Sequence, residues 1–171
     1  MAYVLDVAEK ILKDKGPTDT YSLQKLVYYA YACHLSRMQE PLFDSRIEAW
    51  INGPAVPALY REHKGNYRVS TVNGDPENLN SNELESVNTA LRFYGDHDST
   101  WLVTQTHMEP PWIDARKGLG PKDRGFNQIT DEALLAYFEG IFNDPEVLGA
   151  LRDAESDIGL YTDDLFTRYA K

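Results

Sequence analysis

Apolar positions along the chain follow a helical rhythm, broken by one short alternating stretch. Between Ser22 and Arg37, residues Leu23, Leu26, Val27, Ala30, Tyr31, His34 and Leu35 recur at i, i+3, i+4 and i+7, the spacing of a single helical face. Lys25, Tyr28, Tyr29 and Ala32 fall on the other faces, so apolar or aromatic groups line most of the girth. A helix of that kind sits at the centre of a domain, with neighbours on several sides. The pattern predicts a central helix over Thr20–Arg37. Thr18, Thr20 and Ser22 are its candidate N-caps, because each hydroxyl can accept a bond from a free backbone N–H.

On either side the same reading gives shorter elements. Val4, Val7, Ala8, Ile11 and Leu12 predict a first helix over residues 3–15, ended by Gly16-Pro17. Ile47, Ala49 and Ile51 alternate with Glu48 and Trp50, which predicts a short extended segment. Asn52-Gly53-Pro54 punctuates it. Gly53 offers a permissive backbone, and Pro54 suits the first turn of a helix carrying Val56, Leu59 and Tyr60. From Gly65 to Asn82 the chain is polar and reads as turn and loop. Within it Tyr67, Val69 and Thr71 alternate with Arg68 and Ser70, which predicts a short strand paired with Ile47–Ile51.

Further helices are predicted from Ser81 or Asn82 to Tyr94-Gly95, and from Thr100 to His107 behind a cap at Asp98 or Ser99. A short turn runs from Pro110 to Arg116. A last clear helix follows Thr130, with Leu134, Leu135, Tyr137, Phe138, Ile141 and Phe142 on its apolar face. The fold class is therefore mainly α: a single-domain bundle of six to eight short helices around the central one, with at most a small β element.

Charge separates the tail from the rest. Residues 131–171 hold ten acidic and three basic side chains, so they carry −7 of the total −10. The chain divides into a helical domain, residues 1–144, and an acidic, helical C-terminal extension of that domain, residues 145–171. Val147, Leu148, Leu151, Leu165, Phe166 and Tyr169 are too many apolar anchors for a purely disordered segment. The extension has two readings: it docks on the domain, or it folds onto a partner. The overall charge argues against nucleic-acid binding, which needs a basic surface.

Cys33 is the only cysteine, so no intrachain disulfide forms and a reducing compartment is favoured. The first 20 residues are studded with charge and lack the apolar core of a signal peptide. No run approaches the roughly 20 apolar residues that span a bilayer. A cytoplasmic protein with no membrane partner is expected.

Candidate chemistry is sparse. His34, His63, His97 and His107 form no zinc-binding spacing with one another or with Cys33. No phosphate loop is present, and Cys33 reads as a buried, inert thiol. Neither a catalytic set, nor a metal site, nor a cofactor is expected. His107 and Glu109 read best as groups that bond a helix end and position the following turn, and with Arg116 they are the only set an enzyme could use. Lys25 interrupts an apolar helix, and has three readings: pairing with Glu48, pairing with Glu109, or an ammonium extended to water. Trp50 with Asn52, and Trp112 with Arg116, form two Trp-bearing turns suited to one recognition surface.

Three of these segments carry a resemblance. LQKLVYYAYACHL, then IEAWINGPAVPALYREH, then THMEPPW followed by Ala115-Arg116, together resemble the Panacea domain, the antitoxin SocA-like family of bacteria and their phages. The matching positions are Leu23, Lys25, Leu26, Tyr28, Trp50, Gly53, Pro54, His107, Glu109 and Trp112; Ala55 stands where the family usually has valine.

The resemblance implies an antitoxin that neutralises a co-encoded protein toxin by direct binding, with the toxin encoded by the adjacent gene. In an adaptor variant, the toxin is instead presented to a protease. A phage or prophage accessory protein that binds a host protein is the rival reading. For such a toxin, the residues expected to bind are Trp50, Asn52, Trp112 and Arg116 of the two Trp-bearing turns, joined by Asp163, Asp164 and Phe166 of the acidic extension, whose charge would complement a basic toxin.

Overall fold

Every residue from Ser22 to Ser36 is buried, and the rest of the molecule is arranged to achieve that. The structure, a computed structural model, describes residues 1–144 and 146. Its elements in order are α1 (Val4–Lys15), β1 (Thr18–Asp19), α2 (Thr20–Met38), β2 (Glu48–Trp50), β3 (Gly53–Ala55) and α3 (Pro57–His63). There follow β4 (Arg68–Val69), a 3₁₀ turn (Pro76–Asn78), α4 (Ser81–Tyr94), α5 (Ser99–His107), α6 (Pro110–Ala115) and α7 (Asp131–Phe142). The fold is mainly α, as expected, with two small two-stranded sheets among the described residues. Of the extension over residues 145–171, all but residue 146 lies outside them.

The central helix α2 packs against α1, α4, α5 and α7 and against β3. Burying Leu23, Leu26 and Leu35 contributes about 1.5–3 kcal/mol each. Tyr29 stacks flat on Tyr94 of α4 at 3.7 Å, and Phe138 of α7 sits edge-on to both Tyr28 and Tyr29. The N-cap of α2 is Asp19, whose carboxylate accepts from the N–H of Ser22 at 2.9 Å and from its hydroxyl at 2.7 Å. None of the three hydroxyl residues expected at that position acts as the cap. A carboxylate serves the same free N–H and adds favourable charge at the helix start.

Two further expectations are corrected. The Arg68–Val69 strand pairs with Thr18–Asp19, and β2 pairs with β3 in an antiparallel hairpin. The hairpin turns so tightly at Ile51-Asn52 that its own return strand takes the edge reserved for the distant one. Accordingly Pro54 lies in β3 opposite Ala49, and the proline at the start of α3 is Pro57.

The polar stretch after α3 is held from a distance. Glu9 of α1 accepts from the Val72 N–H at 2.8 Å and from the Thr71 hydroxyl, and Asp6 accepts from the Asp75 N–H at 2.7 Å.

Candidate functional site

The β2–β3 hairpin is where the three motif segments meet. Gly53 has φ +105, a left-handed backbone that glycine adopts freely. A Cβ there would stand 2.5 Å from Lys25 Cε and 2.8 Å from Thr106 Oγ1, so the turn closes directly over the lysine. From α2, Lys25 Nζ donates to Pro54 O at 3.1 Å. Gln24, its neighbour, takes both backbone groups of Val56. Its Oε1 accepts from the Val56 N–H at 2.8 Å, and its Nε2 donates to Val56 O at 3.3 Å and faces His63 Nε2 at 3.0 Å.

The α5–α6 segment braces the hairpin from the other side. Trp112 Nε1 donates to Trp50 O at 2.8 Å, and Arg116 Nη1 donates to Ala49 O at 2.9 Å. Gly125 leaves room for that second bond, since a Cβ would fall 2.5 Å from both Ala49 O and Arg116 Nη1. Arg116 Nη2 also donates to Asp123 O at 2.6 Å, which ties down the loop that precedes α7. His107 stacks on Trp112 with ring centroids 4.1 Å apart, and the Arg116 guanidinium lies over the same indole. Glu109 caps the arrangement within the core, accepting from Tyr29 at 2.8 Å, Gln105 at 3.3 Å and Tyr28 at 3.4 Å.

Burial sets the charge states. Glu109, 1% exposed, is pushed up to about 8 by desolvation despite its hydrogen bonds. His107 is pushed down to about 3 by burial and by the positive charges of Lys25 and Arg116, so it is neutral at physiological pH. Burial also raises the Cys33 thiol to about 11, which makes it unreactive. Among the described residues no three His, Cys, Asp or Glu side chains are grouped to share a metal ion. None of them forms a helix long and apolar enough to cross a membrane.

The outer side of the hairpin is open. Trp50 is half-buried, with its indole N–H on Glu48 Oε2 at 2.7 Å, and it meets Tyr60 edge-on at 5.0 Å and Phe126 at 6.5 Å. Trp50 and Tyr60 form a wall shared by two pockets. One, of about 190 Å³, is lined by Tyr21, Asn52, Asn66 and others, with Gln24, Lys25 and His63 contributing its polar groups. The second, of about 260 Å³, adds Arg124 and Phe126. Tyr21, Tyr60, Tyr67 and Phe126 are all exposed, an unusual concentration of aromatic surface.

Of the residues expected at a binding surface, Trp50 and Asn52 border the first pocket. Trp112 and Arg116 are interior, 2% and 6% exposed, and stand behind Trp50 as its brace. Asp163, Asp164 and Phe166 lie outside the described residues. Neither pocket is lined by His107, Glu109 or Arg116, the set nominated for an enzyme. Lys25 pairs with neither Glu48 nor Glu109, nor does it extend into open water: at 2% exposure it meets a backbone carbonyl. Sequence reasoning missed Tyr21, Gln24, Tyr60, His63 and Phe126. The available signal was Gln24-Lys25 itself, two consecutive polar residues inside an otherwise apolar helix.

A family model described as antitoxin SocA-like, Panacea domain, matches residues 23–113, just over half of the chain. No curated protein and no solved structure matches. The matched span runs from Leu23 of α2 into α6 and covers the motif positions from Leu23 to Trp112, ending short of Ala115-Arg116.

Proposed function

The chain belongs to the antitoxin SocA-like, Panacea domain family, and from that premise we propose that it neutralises a co-encoded protein toxin by direct binding through the outer face of the β2–β3 hairpin. Membership by itself points to a toxin–antitoxin role and to a function other than catalysis. The observation that supports this face is the exposed aromatic set around Trp50: Tyr21, Tyr60 and Phe126, with two pockets between them. Aromatic anchors of this kind supply large contact area at small entropic cost and dominate binding energy at protein interfaces. The hairpin that presents Trp50 is clamped by Gln24 and Lys25 on one side and by Trp112 and Arg116 on the other, so the face is pre-organised. Motif residues Lys25 and Trp112 take part in that clamp and motif residue Trp50 stands on the face, whereas Tyr21, Tyr60 and Phe126 lie outside the motif and supply the contacts that select a particular toxin.

Co-expression with the product of the adjacent reading frame, read as growth and as a pull-down, tests this reading. Growth rescue with a stable complex is expected, and the double variant Trp50→Ala/Tyr60→Ala should lose both while keeping its helical circular dichroism. Rescue that persists in that variant would remove the face from the interface. Rescue without any complex would favour the protease-adaptor mode, and a harmless neighbour would favour an accessory protein with a host partner.

A further inference from the structure

The first pocket has a chemical asymmetry that toxin binding does not require. Its described lining holds no carboxylate, although the chain as a whole carries a net charge of −10. It does hold the ammonium of Lys25, almost wholly buried, with a single acceptor among the described residues, Pro54 O, for three N–H donors. Among the described residues no carboxylate is in ion-pair contact with it, and Asp19 acts on it only from a distance. Two of the other polar side chains in the lining, Gln24 and His63, are committed to each other. Gln24 Oε1 is fixed on the Val56 N–H, so Nε2 is the donor toward His63, and the proton of that ring sits on Nδ1. His63 is therefore neutral, and burial lowers its pKa further. Among the described lining residues, Lys25 in its ammonium form is the cation of the pocket. Three aromatic rings, from Tyr21, Trp50 and Tyr60, stand among the lining residues.

We propose that this pocket is a carboxylate socket, in which one acidic group seats against Lys25 Nζ while its apolar body lies among the Tyr21, Trp50 and Tyr60 rings. A buried ammonium with two donors left over is best satisfied by a compact anion that can accept both. The volume of about 190 Å³ falls below the roughly 300–1,000 Å³ of pockets for drug-sized ligands, so a nucleotide does not fit. A single cation also suits a monocarboxylate better than a phosphate dianion, which favours several donors or an arginine fork. The proposal goes beyond toxin binding, because the same chemistry admits an acidic side chain of a protein partner or a free small carboxylate.

Binding should draw on a proton. Burial pushes Lys25 down to about 7, and Asp19 at the start of the same helix opposes that shift. The other titratable groups around it are His107 at the end of α5, which senses its charge, and His63, Tyr21 and Tyr60 in the pocket lining; burial lowers the pKa of both histidines. Only the ammonium form holds a carboxylate, so affinity should be about tenfold weaker at pH 8 than at pH 6.

The test is a titration of the whole chain, followed by amide and indole NMR signals of Gly53 and Trp50. The probes are benzoate, benzamide as its neutral isostere, and acetyl-glutamate amide as a side-chain mimic. Saturable shifts with at least one carboxylate, none with benzamide, and the tenfold pH effect are expected. Lys25→Met should abolish them. Absence of saturable shifts, equal binding of benzamide, or pH-independent affinity would each overturn the socket, and all three are read on the wild-type protein even if the variant fails to fold. Preference for the glutamate mimic, with a toxin complex weakened by Lys25→Met, would assign the carboxylate to a protein partner. Preference for benzoate, with the complex unaffected, would assign it to a free molecule. Because no probe involves the toxin, failure of the toxin-binding reading leaves this result standing on its own.

Discussion

The two sides of the hairpin carry similar residue types and have opposite characters. On the inner side, His107, Glu109, Trp112 and Arg116 offer the histidine, carboxylate, indole and guanidinium that an active site would use. Burial keeps His107 neutral and raises the Glu109 carboxyl, and the donors of Trp112 and Arg116 end on backbone carbonyls. On the outer side, Trp50, Tyr60 and Lys25 are fewer and less suggestive, yet one ammonium there retains unused donors and the aromatic rings meet solvent. Reactive residue types do not mark a site by themselves. What marks it is bonding capacity that the fold leaves unspent.

The sharpest way to break this comparison is at Trp112. Trp112→Ala should cost about 3–5 kcal/mol in urea unfolding, because it empties a packed interior position and releases the Trp50 carbonyl. A loss below about 1 kcal/mol would mean that the inner side is not a brace.

Glu109 comes next. Glu109→Leu strips the acceptor from Tyr28, Tyr29 and Gln105 and should cost about 3 kcal/mol, whereas Glu109→Gln should stay within about 1 kcal/mol near pH 5, where the carboxyl is protonated in the fold. The pH dependence has a definite sign. The folded pKa of Glu109 lies above its unfolded value, so its contribution is full below about 4.5 and is lost as pH rises through about 8. Unfolding free energies of wild type and Glu109→Gln measured from pH 5 to 9 should diverge in favour of the variant as pH rises.

A smaller effect of opposite sense is expected at Lys25, whose folded pKa is depressed. Its buried charge opposes folding fully below pH 7, and wild type recovers between about 7 and 10.5. Lys25→Met should therefore unfold no more easily than wild type at pH 6, and its relative advantage should shrink toward pH 10. A variant clearly less stable at pH 6 would place Lys25 with the inner brace.

The smallest change in stability belongs to Tyr60→Ala, within about 1 kcal/mol for so exposed a residue. The same substitution should nevertheless weaken a toxin complex by about 2 kcal/mol, roughly thirtyfold, in a titration calorimetry experiment.

Much of the fold could be read from the sequence because α2 is apolar on nearly every face, which only a central position satisfies. The hairpin was harder. Pro54 and Pro57 both suit a helix start, and the choice between them rests on Gly53 folding back over Lys25, a contact between residues 28 positions apart. In the segment from Gly65 to Asn80 only the alternation around Arg68–Val69 was legible, and neither its partner nor the path of the rest was, since Asp6 and Glu9 on α1 hold it and local periodicity does not register such bonds. Of the outer face, Trp50 and Asn52 could be found within their own turn. Tyr21, Tyr60 and Phe126 could not, because they come from separate segments and become one surface only after packing.

The complete burial of α2 also has a consequence for synthesis. Tyr31 bonds Asp131, 100 residues further on, and Phe138 covers Tyr28 and Tyr29. At about 5–20 residues per second, the ribosome needs about 5–20 s to pass from the first of these partners to the second. During that interval the emerging helix lacks its last cover, and the nascent chain presents apolar surface to chaperones and proteases. A message truncated before residue 131 would thus yield a polypeptide destined for degradation. The domain can complete its core only after Asp131 and Phe138 have been synthesised, which sets a minimum delay between the emergence of α2 and its full burial.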